Sequence, residues 1–246
     1  MAKRYTRKDL KRPDEFVSFW QHAYEFLKQN GRPIVIGTVV ALVAIIGTTA
    51  FSDHSARIEG EASLALSRAM RMYETDLAAD DEAAKKAQNE DGIPRFKTAD
   101  ERRQATLSEL DAMLAKYRST GAAREAMLVR AGVQLDGQQF DQAIKGYGDF
   151  LAESDSEQRL RFLAREGRGY AFEGKGQLDL ALDEFRKLEM EGELYRDRAL
   201  YHQARILERK GDPQGAEKMY KMVLEKYPTT SLRDDISNRL AALEAR

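Results

Sequence analysis

Three histidines, one glycine-rich run and many carboxylates are the residues of this sequence that could carry chemistry. His22, His54 and His202 lie far apart, none has a second ligand four residues on, and no HExxH pattern occurs. The spacing that would hold a zinc ion on one helix face is therefore missing. The chain has no cysteine, which removes thiolate metal sites, cysteine nucleophiles and disulfides together. The run REGRGYAFEGKGQ at 165–177 contains a GxG and a lysine, but it follows no strand pattern and lacks the spacing of a phosphate loop. Gly169 reads instead as a helix contact, and Gly174 with Gly176 as a hairpin turn. Acidic residues alternate with basic ones along helix-patterned stretches, as on solvated helix faces. The expectation is a non-enzyme with no catalytic residue, no cofactor and no metal.

The elements that would position any binding residues follow from composition and periodicity. A chain of 246 residues with 42% hydrophobic residues can bury a core. Its 40 Lys and Arg nearly cancel its 41 Asp and Glu, so no net field draws nucleic acid. The mean hydropathy of -0.61 describes a water-loving protein, with one exception.

Residues 33–52 contain no charged side chain. As a helix rising about 1.5 Å per residue, about 20 residues match a hydrocarbon core of roughly 30 Å. Its threonines, Thr38, Thr48 and Thr49, can bond back to their own backbone. Before the segment stand Lys3, Arg4, Arg7, Lys8, Lys11, Arg12, Lys28 and Arg32, and after it Asp53, Arg57, Glu59 and Glu61. This asymmetry leaves the N-terminus in the cytoplasm and sends the larger part across. A cleavable signal peptide is the rival, since Thr48 and Ala50 imitate a small-x-small site, but more than 30 residues precede the apolar run where a signal leader has a few. An anchor is expected, giving a cytoplasmic leader at 1–32, a membrane helix at 33–52 and a periplasmic domain at 53–246.

In the leader, Pro13 with Asp14 and Glu15 suits a first helical turn, and Phe16, Trp20, Ala23 and Leu27 recur at helical spacing. An amphipathic helix at the inner headgroup layer fits these aromatic and basic residues. A cytoplasmic extension of the membrane helix broken at Gly31 and Pro33, or a docking element, are the alternatives.

Beyond the membrane the pattern is helical throughout. From Ala56 to about Gln88, Ile58, Ala62, Leu66, Ala69, Met70 and Tyr73 recur at three- and four-residue steps. Gly92 and Pro94 break the pattern, and Asp100 is a candidate cap for a helix through Tyr117. Breaks at Gly137, at Gly174 with Gly176, and at Gly211 separate short helices, which implies antiparallel hairpins. Three segments then align. A small residue (Ala131, Gly169, Ala204) is followed twelve positions later by alanine (Ala143, Ala181, Ala216) and four later by an aromatic (Tyr147, Phe185, Tyr220). The alanines recur 38 and 35 residues apart. Small residues let two helices approach closely and the aromatic fills the gap toward a neighbour, so these positions belong in the core. LSELDAMLAKYRS resembles EKMYKMVLEKYPT, marking an earlier, atypical hairpin whose first helix follows the membrane. Ser231 with Asp234 suggests a capping box for a closing helix.

The three segments resemble tetratricopeptide repeats, whose period is about 34 residues. The ending YKMVLEKYPTTSLRDDISNRLAAL resembles Gram-negative envelope proteins such as YbgF/CpoB and BamD. The layout as a whole, with RPDEF in the leader, one membrane helix and a repeat domain, is more similar to the YfgM family of ancillary SecYEG translocon subunits. That resemblance implies a bacterial inner-membrane adaptor or chaperone-like subunit with protein partners, either translocon subunits or exported clients. The lipidation cysteine of BamD relatives is absent, so their roles carry over poorly. A structural or assembly scaffold for a division, secretion or appendage machine is the alternative.

The expected architecture is all-α, a single membrane helix followed by a solenoid of tetratricopeptide-like hairpins and a C-terminal cap. Its first helices would line a concave groove. By repeat position that groove receives Leu128 and Leu135, then Glu166, Tyr170 and Glu173, then Tyr201, Arg205, Glu208 and Arg209. Tyr170 and Tyr201 would be amphipathic anchors, and Arg205 and Arg209 would meet acidic partner groups or a chain terminus. In the membrane helix, Gly37 with Ala41 and Ala44 with Thr48 give small-xxx-small spacings for a helix partner.

Overall fold

The computed structural model describes residues 15–79, 82, 92–153, 158–190 and 192–245. The basic leader before Glu15 and the stretch toward Gln88 therefore lie outside the described residues. Among those described the chain is all-helical. It divides into two units, residues 1–57 and 58–246.

In the first unit every described residue belongs to helix α1, Glu15–Glu74. Pro33 sits inside this helix, so the break at Gly31 and Pro33 that the alternative reading of the leader carried does not occur. Proline is tolerated inside apolar helices because neighbouring groups and local adjustment take up the freed carbonyl. An 18-residue window of α1 reaches a mean hydropathy of 2.1 with none of it buried. Thr48 and Thr49 donate to the carbonyls of Ile45 and Ile46 at 2.9 and 3.0 Å, which hides their hydroxyls from an apolar medium.

The second unit begins within α1 and continues through α2 (Ala99–Lys116), α3 (Gly121–Asp136), α4 (Phe140–Ala152), α5 (Gln158–Gly174), α6 (Leu178–Met190), a 3-10 turn (Glu193–Tyr195), α7 (Arg196–Arg209), α8 (Pro213–Lys226) and α9 (Arg233–Glu244). Successive helices from α2 to α9 pack on one another, and α3 also packs on α5, as in a stack of hairpins. Ala62, Leu66 and Ala69 of α1 share a core with Leu110, Met113, Ala122 and Ala126, which completes the atypical first hairpin. Glu59 accepts from the backbone N–H of Gly121 and of Ala122 at 2.8 Å each, placing a carboxylate on the positive end of α3.

The aligned repeat residues are buried at all nine positions. Ala131, Ala143 and Tyr147 share one core, Ala181 and Phe185 the next, and Ala204, Ala216 and Tyr220 the last.

The helix ends differ from expectation in four places. First, α1 stops at Glu74, well before Gln88, because Arg102 donates to the carbonyl of Thr75 at 2.5 Å and Thr75 donates to that of Met72 at 2.8 Å. These contacts take up terminal carbonyls. Second, Thr98 rather than Asp100 caps α2, in a reciprocal box with Glu101. Third, α9 begins at Arg233 without a side-chain cap. There Thr230 accepts from the N–H of Leu232 and donates to Asp197 at 2.7 Å, so the expected Ser231 box is not the device used. Fourth, at the first repeat turn the left-handed residue is Gln138, with φ of 57°, at the position held by Gly176 and Gly211 in the other two.

Candidate functional site

An open depression of about 440 Å³ lies between the repeats, walled by Leu128 and Leu135 of α3 and Leu163 of α5, with Tyr73, Tyr147 and Tyr170 around it. One glycine makes room for the ring at its floor. A Cβ at Gly167 would stand 2.3 Å from Tyr147 Cζ, so only glycine lets that ring lie against α5. On the opposite side a Cβ at Gly132 would only make an ordinary contact of 3.6 Å with the Tyr147 hydroxyl. The GxG of the glycine-rich run is thus a packing device: Gly167 admits Tyr147, and Gly169 admits Phe185, whose Cε1 lies 2.5 Å from the would-be Cβ.

Four of the nine expected groove residues line this depression, namely Leu128, Leu135, Glu166 and Tyr170. The other five sit in two polar clusters, one between α5 and α7 and one between α7 and α9. Arg205 grips Glu173 through two bonds of 2.6 Å, and Arg209 adds a third of 2.6 Å to the same carboxylate. Tyr201 donates to Asp235 at 2.5 Å, and Arg239 binds both Asp235 at 3.0 Å and Glu208 at 3.2 Å. The guanidinium of Arg205 also lies over the Tyr170 ring, 5.3 Å from its centre. These charges answer one another across the repeat interfaces.

Sequence reasoning missed Tyr73, Asp136, Leu163 and the hydroxyl of Tyr147. The only signal for Tyr147 was that the aligned aromatic in the next repeat is Phe185, which carries no hydroxyl. Tyr73 donates to Asp136, fixing that carboxylate at the rim. It also missed His202. Its Nε2 stands 2.9 Å from Glu166 Oε1 and 3.3 Å from the Tyr170 hydroxyl, while its Nδ1 is buried with no partner among the described residues. The ring stacks on Phe185 at 4.8 Å between centres. With Glu166 as acceptor the proton sits on Nε2, and a second proton on Nδ1 would find no acceptor. Among the described residues, no group of three or more His, Cys, Asp and Glu could hold a metal ion.

Burial lowers the pKa of His202 below its ordinary 6.5, outweighing the hydrogen bond and charge of Glu166, with Arg205 and Arg198 lowering it further. The unfolded chain therefore takes up this proton at a higher pH than the folded one. Stability present above pH 6.5 is lost as the pH falls through the lower folded value. Thermal unfolding across that window should show a falling midpoint for the parent chain and a flatter response for His202→Gln. Equal slopes would assign the acid sensitivity to other groups.

The expected membrane contacts, Gly37, Ala41, Ala44 and Thr48, lie on one stripe of α1 and are exposed. Around them Val35, Val39, Leu42, Ile45 and Ile46 are also exposed, each by more than half.

Residues 24–182 match a tetratricopeptide repeat-like domain and residues 198–230 a tetratricopeptide repeat. No curated protein matches the sequence. Among solved structures, a tetratricopeptide repeat protein from Parabacteroides merdae is 15% identical, with 59% of this chain and 55% of that chain covered and a TM-score of 0.48. The present chain thus spans about half the length of that protein. The type III secretion chaperone SycD of Yersinia enterocolitica, solved with a peptide of the translocator YopD, is 21% identical over 49% of this chain and 92% of its own, with a TM-score of 0.43. MamA from Desulfovibrio magneticus RS-1 is 18% identical over 62% of this chain and 78% of its own, with a TM-score of 0.45.

Proposed function

This chain belongs to the tetratricopeptide repeat-like family, and on that premise we propose that it is a single-pass membrane adaptor whose repeat groove holds a segment of an envelope protein. The observation that carries the reading is the depression between α3 and α5, which offers leucine walls and tyrosine edges that the chain's own side chains do not fill. Repeats of this architecture expose the first helices of successive hairpins on one concave side, and α3 and α5 are such helices.

The anchor reading rests on the charge-free run at 33–52, exposed along α1. The excess of Lys and Arg before it supports a cytoplasmic N-terminus and a periplasmic repeat domain at 53–246. The similarity of the layout to the YfgM family supports the Sec translocon as the machine served. In this reading the stripe of Gly37, Ala41, Ala44 and Thr48 is a second contact, made inside the membrane with a partner helix. Glu173, Tyr201, Arg205, Glu208 and Arg209 act from behind the groove, in the two clusters that fix α5 against α7 and α7 against α9.

The test is co-purification of the tagged full-length chain from membranes in mild detergent, with translocon subunits detected by immunoblot. The double variant Leu128→Ala and Leu163→Ala should lose the partner while Leu180→Ala, outside the groove, keeps it. Capture undiminished in the double variant would place docking on another face. Recovery of division or secretion components in place of translocon subunits would replace the Sec assignment with the scaffold one.

A further inference from the structure

Resting on the groove reading above, we propose that the segment held between α3 and α5 is a cationic apolar peptide, in which a leucine-like side chain is flanked by lysine or arginine.

The polar equipment of the groove is one-sided. Its lining contains the carboxylates of Asp136 and Glu166 and three tyrosines, and no lysine, arginine or histidine. Glu166 is 94% buried, being 6% exposed, yet only one of its oxygens is occupied: Arg198 at 2.7 Å and His202 at 2.9 Å both reach Oε1. Its Oε2 accepts no hydrogen bond among the described residues. Asp136 is exposed at the rim and receives the Tyr73 hydroxyl on Oδ2, which leaves Oδ1 open. Of the neighbouring guanidiniums, Arg205 is committed to Glu173, Arg198 to the Oε1 of Glu166 itself, and Arg102, 5.5 Å from the centre of the Tyr73 ring, to the carbonyl of Thr75. A peptide cation entering the groove thus meets two open carboxylate oxygens, whereas a peptide anion meets the same two as repulsion.

Tyr147 supplies the orienting contact. It is 6% exposed, lies on the groove floor, and its hydroxyl has no hydrogen-bond partner among the described residues. The ring is buried but the hydroxyl itself reaches solvent in the groove, so it can exchange a water for an acceptor on the bound segment. Burial, then the charges of Asp136 and Glu166, hold its proton on well into the alkaline range. It is therefore positioned to donate to a backbone carbonyl of the bound segment while the leucine walls take the apolar side chain. A depression of about 440 Å³ falls within the range of built ligand sites, which runs from about 300 to 1,000 Å³.

The experiment uses the full-length chain in nanodiscs of phosphatidylcholine, whose neutral surface does not bind cations, with empty nanodiscs as blank. Three fluorescein-labelled peptides of about ten residues are compared by anisotropy: alternating Leu and Lys, Leu and Ser, and Leu and Glu. The Leu/Lys peptide should bind about tenfold more tightly than Leu/Ser, with Leu/Glu weakest, and the gap should narrow at about 0.5 M salt. Asp136→Asn should remove most of the preference for lysine, and Tyr147→Phe should weaken Leu/Lys and Leu/Ser alike without lowering the melting temperature. Equal binding of all three peptides, tighter binding of Leu/Glu, or Leu/Lys binding unchanged by both substitutions would overturn the proposal. The groove reading fails separately: if Leu128→Ala with Leu163→Ala keeps its envelope partner, docking lies elsewhere. If that variant loses the partner while the peptides show no charge preference, only the cationic assignment falls.

Discussion

Arginine at both Leu42 and Ile46 will move this chain out of the membrane fraction. Both side chains are exposed, by 52% and 65%, near the middle of the charge-free run of α1. Among the described residues neither helps to form a buried core cluster, so the second unit loses no packing by the change. Each arginine at the centre of a membrane helix costs about 2.5 to 3.5 kcal/mol on an insertion scale, so the pair costs about 5 to 7 kcal/mol. At 1.4 kcal/mol per decade this is roughly a factor of ten thousand in partition. Alkaline carbonate extraction followed by immunoblot reads the result, with the parent in the pellet and the double variant in the supernatant. Equal pelleting would remove the anchor assignment. A parent chain that is itself soluble and shortened near Ala50 would make the run an export signal.

What the sequence made legible was periodicity, and what it hid was pairing. The small residue, alanine and aromatic recurring in three segments gave the stack, because each is demanded by helix approach distances that vary little from hairpin to hairpin. The same positions, Ala131 through Tyr220, form the interior. Charges gave no such signal. Arg205 and Arg209 stand at groove-facing repeat positions, yet both are held by Glu173, 32 and 36 residues earlier. No local pattern distinguishes a carboxylate that answers a neighbouring repeat from one that faces water. Helix ends were similarly opaque, since α1 stops where Arg102 reaches Thr75 across 27 residues, a tertiary contact that no turn residue announces. The first repeat turn was also misplaced by one residue: the break read from Gly137 falls at Gln138, which takes the left-handed conformation that Gly176 and Gly211 take in the other two.

The groove and the network behind it are connected through α5. Glu166 lines the depression with one face and holds Arg198 and His202 of α7 with the other. Tyr170 likewise edges the groove while its ring lies under Arg205. A segment bound between α3 and α5 therefore touches residues whose other contacts fix the next repeat, so binding should stiffen the α5 to α7 interface.

That interface also predicts a change of sign. Phe185 is fully buried, stacks on His202 at 4.8 Å and meets Tyr170 edge-on at 5.9 Å. Phe185→Ala should cost about 3 to 5 kcal/mol, from lost burial and the cavity left behind. For a unit of this size, at about 2 to 4 °C per kcal/mol, the melting temperature should fall by roughly 6 to 20 °C. Gly169→Ala should also destabilise, because its Cβ would press within 2.5 Å of the Phe185 ring and overpacking of this kind costs about 1 to 3 kcal/mol. In the Phe185→Ala background that ring is gone and the same methyl enters the cavity. Gly169→Ala should then be neutral or stabilising, helped by the better helix propensity of alanine, worth about 1 kcal/mol. A double-mutant cycle by thermal unfolding of the full-length chain in detergent reads both effects. Losses that add would mean that Gly169 is not there to admit the Phe185 ring; a coupling of about 2 kcal/mol or more, opposite in sign to the single losses, is the expected result.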